Sequence, residues 1–339
     1  MEHQFYNALN ILHKGDYTQL KRAWEKYHSW ERAWRAVKSA AADNPEQEWA
    51  LLEKQGIELR LASDDNFPAL FKEMPWPPFG LYIKGKLEDG QTRVAIVGTR
   101  KCTPVGKLLA QQFGKDLAQK GIVVVSGLAF GIDAAAHQGT LDGGGATIGV
   151  LAGGLDYVYP RQHIRLAEQI LANGGTLVSE YAKGAPGYPC RFIERNRIVS
   201  ALSVGTIVIE APARSGSLAT ARFAMEQNRT VLVAPGPAVS SHYSGSHALI
   251  RDGAALVTNV QQVLEELGMG GAEAERQTNF SFLDDRQKAI VAVLKQIAEP
   301  ASVDRLSALS KLNVVELNQQ LTLLLLQGVV QEQGGNYFV

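Results

Sequence analysis

The chain has 339 residues, and its 34 lysines and arginines balance 34 aspartates and glutamates, so it carries no formal net charge at neutral pH. That balance excludes recruitment of nucleic acid or anionic membrane by a global field and leaves any anion site to be built locally. Two cysteines, Cys102 and Cys190, with no CxxC pair and no Cys/His cluster at zinc spacing, exclude a disulfide framework and a structural metal site.

In chain order, residues 1–60 read as a small helical domain. Leu20, Trp24, Tyr27, Trp30 and Trp34 recur at roughly helical spacing in LKRAWEKYHSWERAWRAV, which accounts for them as core. Rings among lysines and arginines also suit base stacking. The N-terminus lacks a secretory signal, and the late apolar run LTLLLLQGVV is too short to span a bilayer. A cytoplasmic protein with no membrane partner is expected. The proline-rich stretch 64–85, DDNFPALFKEMPWPPFGLYIKG, reads as a linker packed on the domain after it.

From Arg93 the pattern changes to short apolar runs between helical stretches: VAIVG, IVVVSG, TIGVLAGG, TLVSE, TIVIEA, TVLVAPG and AALV. Near-continuous apolar strands alternating with helices imply an α/β domain, a doubly wound parallel sheet covered on both faces, over 61–267. Glycine, alanine and charge mark 268–281 as a linker. The tail, 282–339, reads as three helices and a glycine-turned hairpin, the order of a winged helix. Its third helix, VVELNQQLTLLLLQ, has no lysine or arginine, which favours a protein contact or a structural role over duplex reading.

Ligands of open α/β sheets bind beyond the carboxyl ends of the strands. Four segments place suitable groups there. In VAIVGTRK, Gly98, Thr99 and Arg100 follow a strand, and arginine can grip phosphate bidentately. In VVVSGLAFGIDAAAHQG, Gly127 and Gly131 frame a turn into a helix on which Asp133 and His137 share a face, open to an acid/base, metal or purely structural reading. In VIEAPARSGSLAT, Ser215, Gly216 and Ser217 begin a helix whose amides suit an anion, although Ser217 also serves as an N-cap. In RFIERNRIVS, Arg191, Arg195 and Arg197 crowd Phe192, a combination that fits a phosphate backbone with stacked bases. No P-loop, dinucleotide fingerprint, GxSxG elbow or nucleophile and base set is present. The expectation is an anion pocket without catalysis or cofactor.

Those motifs, with TIGVLAGGLDYVYPRQH, LVSEY, VAPG and HALIRDGAALV, resemble the DprA/Smf family of DNA-processing proteins in order and spacing over roughly residues 64–257. The resemblance implies an extended Rossmann-like domain, a SAM-like or helix-hairpin-helix-like N-terminal domain and a winged-helix-like C-terminal domain. It further implies single-stranded DNA as ligand, a homodimer formed through the Rossmann-like domain, and loading of the recombinase RecA in natural transformation. On that resemblance the DNA and phosphate contacts are Arg100, Arg195, Asn196, Arg197, Phe192 and the Ser215–Ser217 turn, with Lys183 adding a phosphate contact. The chain departs from the usual GSR and FPxRNR at Thr99 and Ile193. A second class, the lysine-decarboxylase-like phosphoribohydrolases, shares such pockets, but the nearest analogue of its PGGxGTxxE motif, EAPARSGSLAT, lacks the closing glutamate.

Overall fold

Four helices open the chain: α1 (Glu2–Leu12), α2 (Tyr17–Tyr27), α3 (Trp30–Val37) and α4 (Pro45–Lys54). Asp16 caps α2 by accepting from the Gln19 amide at 3.1 Å, and His28 ends it in the left-handed region. The periodic aromatics are core: Trp30 is buried against Tyr6 and Trp24, each 4.9 Å away, and Phe79 closes the cluster at 5.4 Å from Trp30. The same core continues into Leu128, Leu151 and Ile170 of the sheet domain. The N-terminal helices therefore share one compact unit, Met1–Gly270, with the sheet, and the second unit is Gly271–Val339. This computed structural model describes residues 2–37, 44–269, 284–297, 300–310, 312–326, 329–333 and 335–338. The expected linker at 268–281 lies outside the described residues from 270 onward.

Strand β1 (Ile57–Leu61) and strand β2 (Gly80–Gly85) form an antiparallel pair. The last six residues of the stretch expected to be a linker, Gly80–Gly85, thus form a largely buried strand, which joins the main sheet through β6. The alternation then runs as expected: β3 (Arg93–Val97), α5 (Pro104–Gln119), β4 (Val123–Ser126), α6 (Ile132–Asp142), β5 (Thr147–Val150), α7 (Ile164–Ala172), β6 (Thr176–Ser179), α8 (Pro189–Ala201), β7 (Gly205–Val208), α9 (Gly216–Glu226), β8 (Thr230–Val233), α10 (Ser244–Arg251), β9 (Ala255–Leu256) and α11 (Val260–Glu266). Strands β3 to β6 are buried along their whole length and rich in valine and isoleucine, each such side chain contributing about 1.5–3 kcal/mol on burial.

The sheet order is β1-β2-β6-β5-β4-β3-β7-β8-β9, parallel from β6 to β9. From β3 the chain steps outward through β4, β5 and β6, then returns to the other side of β3 with β7. This reversal opens a crevice beyond the carboxyl ends of β3 and β7, where an open sheet receives its ligand.

The second unit contains α12 (Asp285–Ile297), β10 (Ala301–Ser302), α13 (Val303–Ser310), α14 (Val314–Leu326), β11 (Gln331–Gln333) and β12 (Asn336–Phe338), with strand order β10-β12-β11. Leu306, Leu317, Leu321 and Leu324 fill its core. This is the expected winged helix, with a third short strand beside the hairpin. Among the described residues no helix is long and apolar enough to cross a membrane, and no cluster of His, Cys, Asp and Glu could hold a metal ion.

Candidate nucleic-acid interface

The turns after β3, β4 and β7, together with α8 and the start of α9, enclose a cavity of about 1050 Å³. Gly98, Thr99, Arg100, Gly127, Phe192, Arg195, Asn196, Ser215, Gly216 and Ser217 all line it. The two remaining sequence candidates do not. The Lys183 ammonium lies 3.8 Å from the Glu48 carboxylate on the surface, and Arg197 is 1% exposed.

Helix periodicity explains the exclusion of Arg197. Pro189 opens α8, so RFIERNR is helical, and successive side chains turn by about 100°. Phe192, Arg195, Asn196 and Val199 form one stripe on the cavity. Arg197 points into the core, where it pairs with Glu180 at 2.6 Å beneath the Trp76 ring, 4.1 Å from its centroid. Arg191 is likewise spent inside the protein, donating to the carbonyls of Pro186 and Lys14 and stacking on Tyr181.

Arg195 lies under the cavity floor, 3% exposed, and donates to the carbonyls of Gly127 and Val150. Asp133 accepts from the amides of Gly127 at 3.1 Å and Ala129 at 3.3 Å. A side chain at Gly127 would collide with the Arg195 guanidinium and the Asp133 carboxylate, so the bare backbone makes room for this pair. Gly98 similarly admits Ile132 of α6. Burial pushes the Arg195 guanidinium down to about 10, opposed by Asp133, while nearby Arg100 pushes it further down. Burial pushes the Asp133 carboxyl up, opposed chiefly by Arg195. His137 does not join Asp133 in an acid/base pair. Its Nδ1 donates to the Thr147 hydroxyl at 2.8 Å, which itself donates to the Val124 carbonyl, and burial drives its imidazole down to about 3.

The exposed lysines and arginines that line the cavity, Arg100, Lys101 and Arg214, have no ion pair among the described residues. Arg100 lies with its guanidinium 4.9 Å from the centre of the Phe192 ring, and Tyr159 extends the aromatic surface at 5.4 Å from Phe192. On the far wall, Ser215 caps α9 by accepting from the Ser217 amide, and the two hydroxyls lie 2.7 Å apart. Asn196 ties that wall to α8, donating to the Gly216 carbonyl at 3.2 Å. Amides and hydroxyls at a helix N-terminus beside free arginines suit phosphate, and the half-buried rings suit the faces of bases. Sequence reasoning missed Arg214, Tyr159 and His242, and it placed Lys101 at the turn after β3 without assigning it a contact. Arg214 stands one residue before the Ser215 turn, so its place beside a strand end was the available signal.

Fold and cavity together define a Rossmann-like protein with a cavity lined by cations and aromatic rings at the switch point of its sheet. The family model for DNA recombination-mediator protein A matches residues 58–268, and that for the DprA winged helix domain matches 274–336. The chain belongs to the DprA/Smf family of DNA-processing proteins. It is 36% identical to Protein Smf of Escherichia coli K12 over 292 residues, covering 84% of this chain and 78% of that protein. Against DNA processing protein DprA of Bacillus subtilis 168 it is 36% identical over 242 residues, 68% of this chain and 81% of the relative. Among solved structures, DNA processing protein A from Streptococcus pneumoniae superposes with a TM-score of 0.61 at 36% identity, covering 70% of this chain and 81% of that one. DNA processing protein A from Helicobacter pylori, solved for its single-stranded DNA binding mode, superposes with a TM-score of 0.56 at 32% identity over 62% and 95%.

Proposed function

We propose that the chain binds single-stranded DNA in the switch-point cavity, without chemical turnover, and protects incoming strands. In this reading it presents them to the RecA recombinase during transformation and recombination, acting in the cytoplasm as a homodimer formed through its Rossmann-like unit. Arg100, Lys101 and Arg214 take the phosphates, the Ser215–Ser217 turn supplies neutral donors, and Phe192 and Tyr159 carry bases. Arg195 contributes by holding the Gly127 turn and adding positive potential under the floor.

The Arg100 guanidinium on the Phe192 ring carries this proposal. It joins a phosphate grip to a stacking face at one cavity mouth, a pairing that a small inorganic anion does not need and a single strand uses repeatedly. The Helicobacter relative's single-stranded DNA and the family's description as a recombination mediator support the same direction. A phosphoribohydrolase reading finds its acids already engaged. Asp133 holds the Gly127 turn, and Glu210, fully buried, takes the Thr103 amide and hydroxyl.

Fluorescence anisotropy of a labelled oligothymidylate, competed with unlabelled single strand and with duplex, tests the proposal. Salt-sensitive binding displaced far better by single strand is expected. Equal displacement by duplex, or no binding at low salt, would contradict it. Acceleration of RecA filament assembly on the same strand tests the hand-over, and sedimentation tests the dimer.

A further inference from the structure

One polar residue at the cavity, His242, lies outside every motif that marks the family resemblance. It sits in the short turn before α10 and lines the cavity with Ser241 and Ser244. Its Nδ1 lies 3.0 Å from Glu210 Oε1, the histidine side chain being 46% exposed and the glutamate 0%. The Glu210 carboxylate is fixed from the other side. The Thr103 amide reaches both of its oxygens at 3.1 Å, and the Thr103 hydroxyl donates to Oε2 at 2.8 Å. Thr103 is in turn the N-cap of α5, and a side chain at Gly106 would run into Glu210 Oε2. The ring is therefore held by a built and buried partner.

A carboxylate only accepts, so Nδ1 carries the hydrogen, which fixes what Nε2 can offer. In the neutral ring Nε2 is a bare lone pair, and a phosphodiester oxygen, also an acceptor, gains nothing from it. In the imidazolium, Nε2–H is a charged donor beside the arginines. We propose that His242 is a phosphate contact of this pocket in its imidazolium form, so that strand binding tightens as pH falls. The inference rests on the pocket holding a nucleic-acid backbone.

The groups facing this pair allow the assignment. Arg100 and Lys101 from the β3–α5 turn and Arg214 from the β7–α9 turn bring fixed positive charge to the same cavity, which opposes the imidazolium until a bound phosphate neutralises it. Cys102 and Tyr243 are both pushed up, first by burial and with a further push from Glu210, and stay neutral across the window in which histidines titrate. Asp133, whose carboxyl burial pushes up, stands at the floor with Arg195, and a variant at position 242 separates its contribution.

The test is anisotropy of a labelled oligothymidylate with the full-length protein at constant ionic strength, from about pH 5.5 to about pH 8.5, for wild type, His242→Gln and His242→Arg. For wild type the affinity is expected to fall about tenfold across this range, the size of one charge-assisted hydrogen bond. His242→Gln keeps a neutral amide beside Glu210 and is expected to bind weakly with a flat profile, whereas His242→Arg is expected to bind tightly with a flat profile. A wild-type profile retained in His242→Gln overturns the proton's role while leaving the DNA pocket standing. Absence of wild-type binding at every pH removes the pocket reading, and this inference with it.

Discussion

Arg195 and Arg197 stand two residues apart on α8, while Arg100 and Arg214 stand on the turns after β3 and β7. The first pair is buried, at 3% and 1% exposure, and its guanidinium groups go to backbone carbonyls and to Glu180. The second pair is exposed and engages no carboxylate among the described residues. Identical side chains thus divide into struts and contacts according to the element that carries them. The helix turns Arg197 into the core and spends Arg195, on the cavity stripe, on backbone carbonyls under the floor, whereas a turn at a strand end leaves its arginine exposed in the pocket.

Removing a strut should cost the fold. Arg197→Ala leaves Glu180 buried and unpaired, and a loss of about 3–5 kcal/mol is expected in urea unfolding. The double change Arg197→Met with Glu180→Leu should recover most of it. A stable Arg197→Ala protein that had lost only DNA affinity would break the comparison. His137 is a strut of a second kind. Its imidazole is held down at about 3, below the ordinary value near 6.5, so its stabilising contribution is complete above pH 6.5 and fades as pH falls toward 3. Between neutral pH and pH 4 this amounts to on the order of 3 kcal/mol, and His137→Asn should flatten that slope in acid denaturation.

Removing a contact should cost binding alone. Phe192→Ala is expected to lower single-strand affinity by about 1–3 kcal/mol, the worth of one stacked base. Lys183→Ala, whose partner is Glu48 on the surface, should change stability and binding by less than about 0.5 kcal/mol. A large binding loss at Lys183 would extend the DNA path beyond the cavity.

The strands are legible because each apolar run from VAIVG to AALV is bounded by glycine or polar residues, and all seven appear as β3 to β9. Strands β1 and β2 are not. GLYIKG sits behind four prolines and pairs antiparallel with residues 57–61 across the whole proline-rich stretch, a long-range register that no local period announces. At the site, strand-end position identifies the Arg100 and Ser215 turns. RFIERNR shows its charge in the sequence but not its helical face, and Arg197 therefore belongs to the core and not to the pocket. Gly98 and Gly127 stand out as bare backbone, but the neighbours they admit are Ile132, Arg195 and Asp133. Such packing partners have no signature in local spacing. Lys183 pairs with Glu48, a residue of the N-terminal helices that sequence alone does not bring near.

The central claim is that the exposed strand-end arginines hold a DNA backbone, and the salt dependence of oligothymidylate binding for wild type and Arg100→Ala measures it directly. The account predicts weaker binding, unchanged thermal stability and a salt slope shallower by about one counterion in the variant. An unchanged slope would place Arg100 outside the DNA path and contradict it.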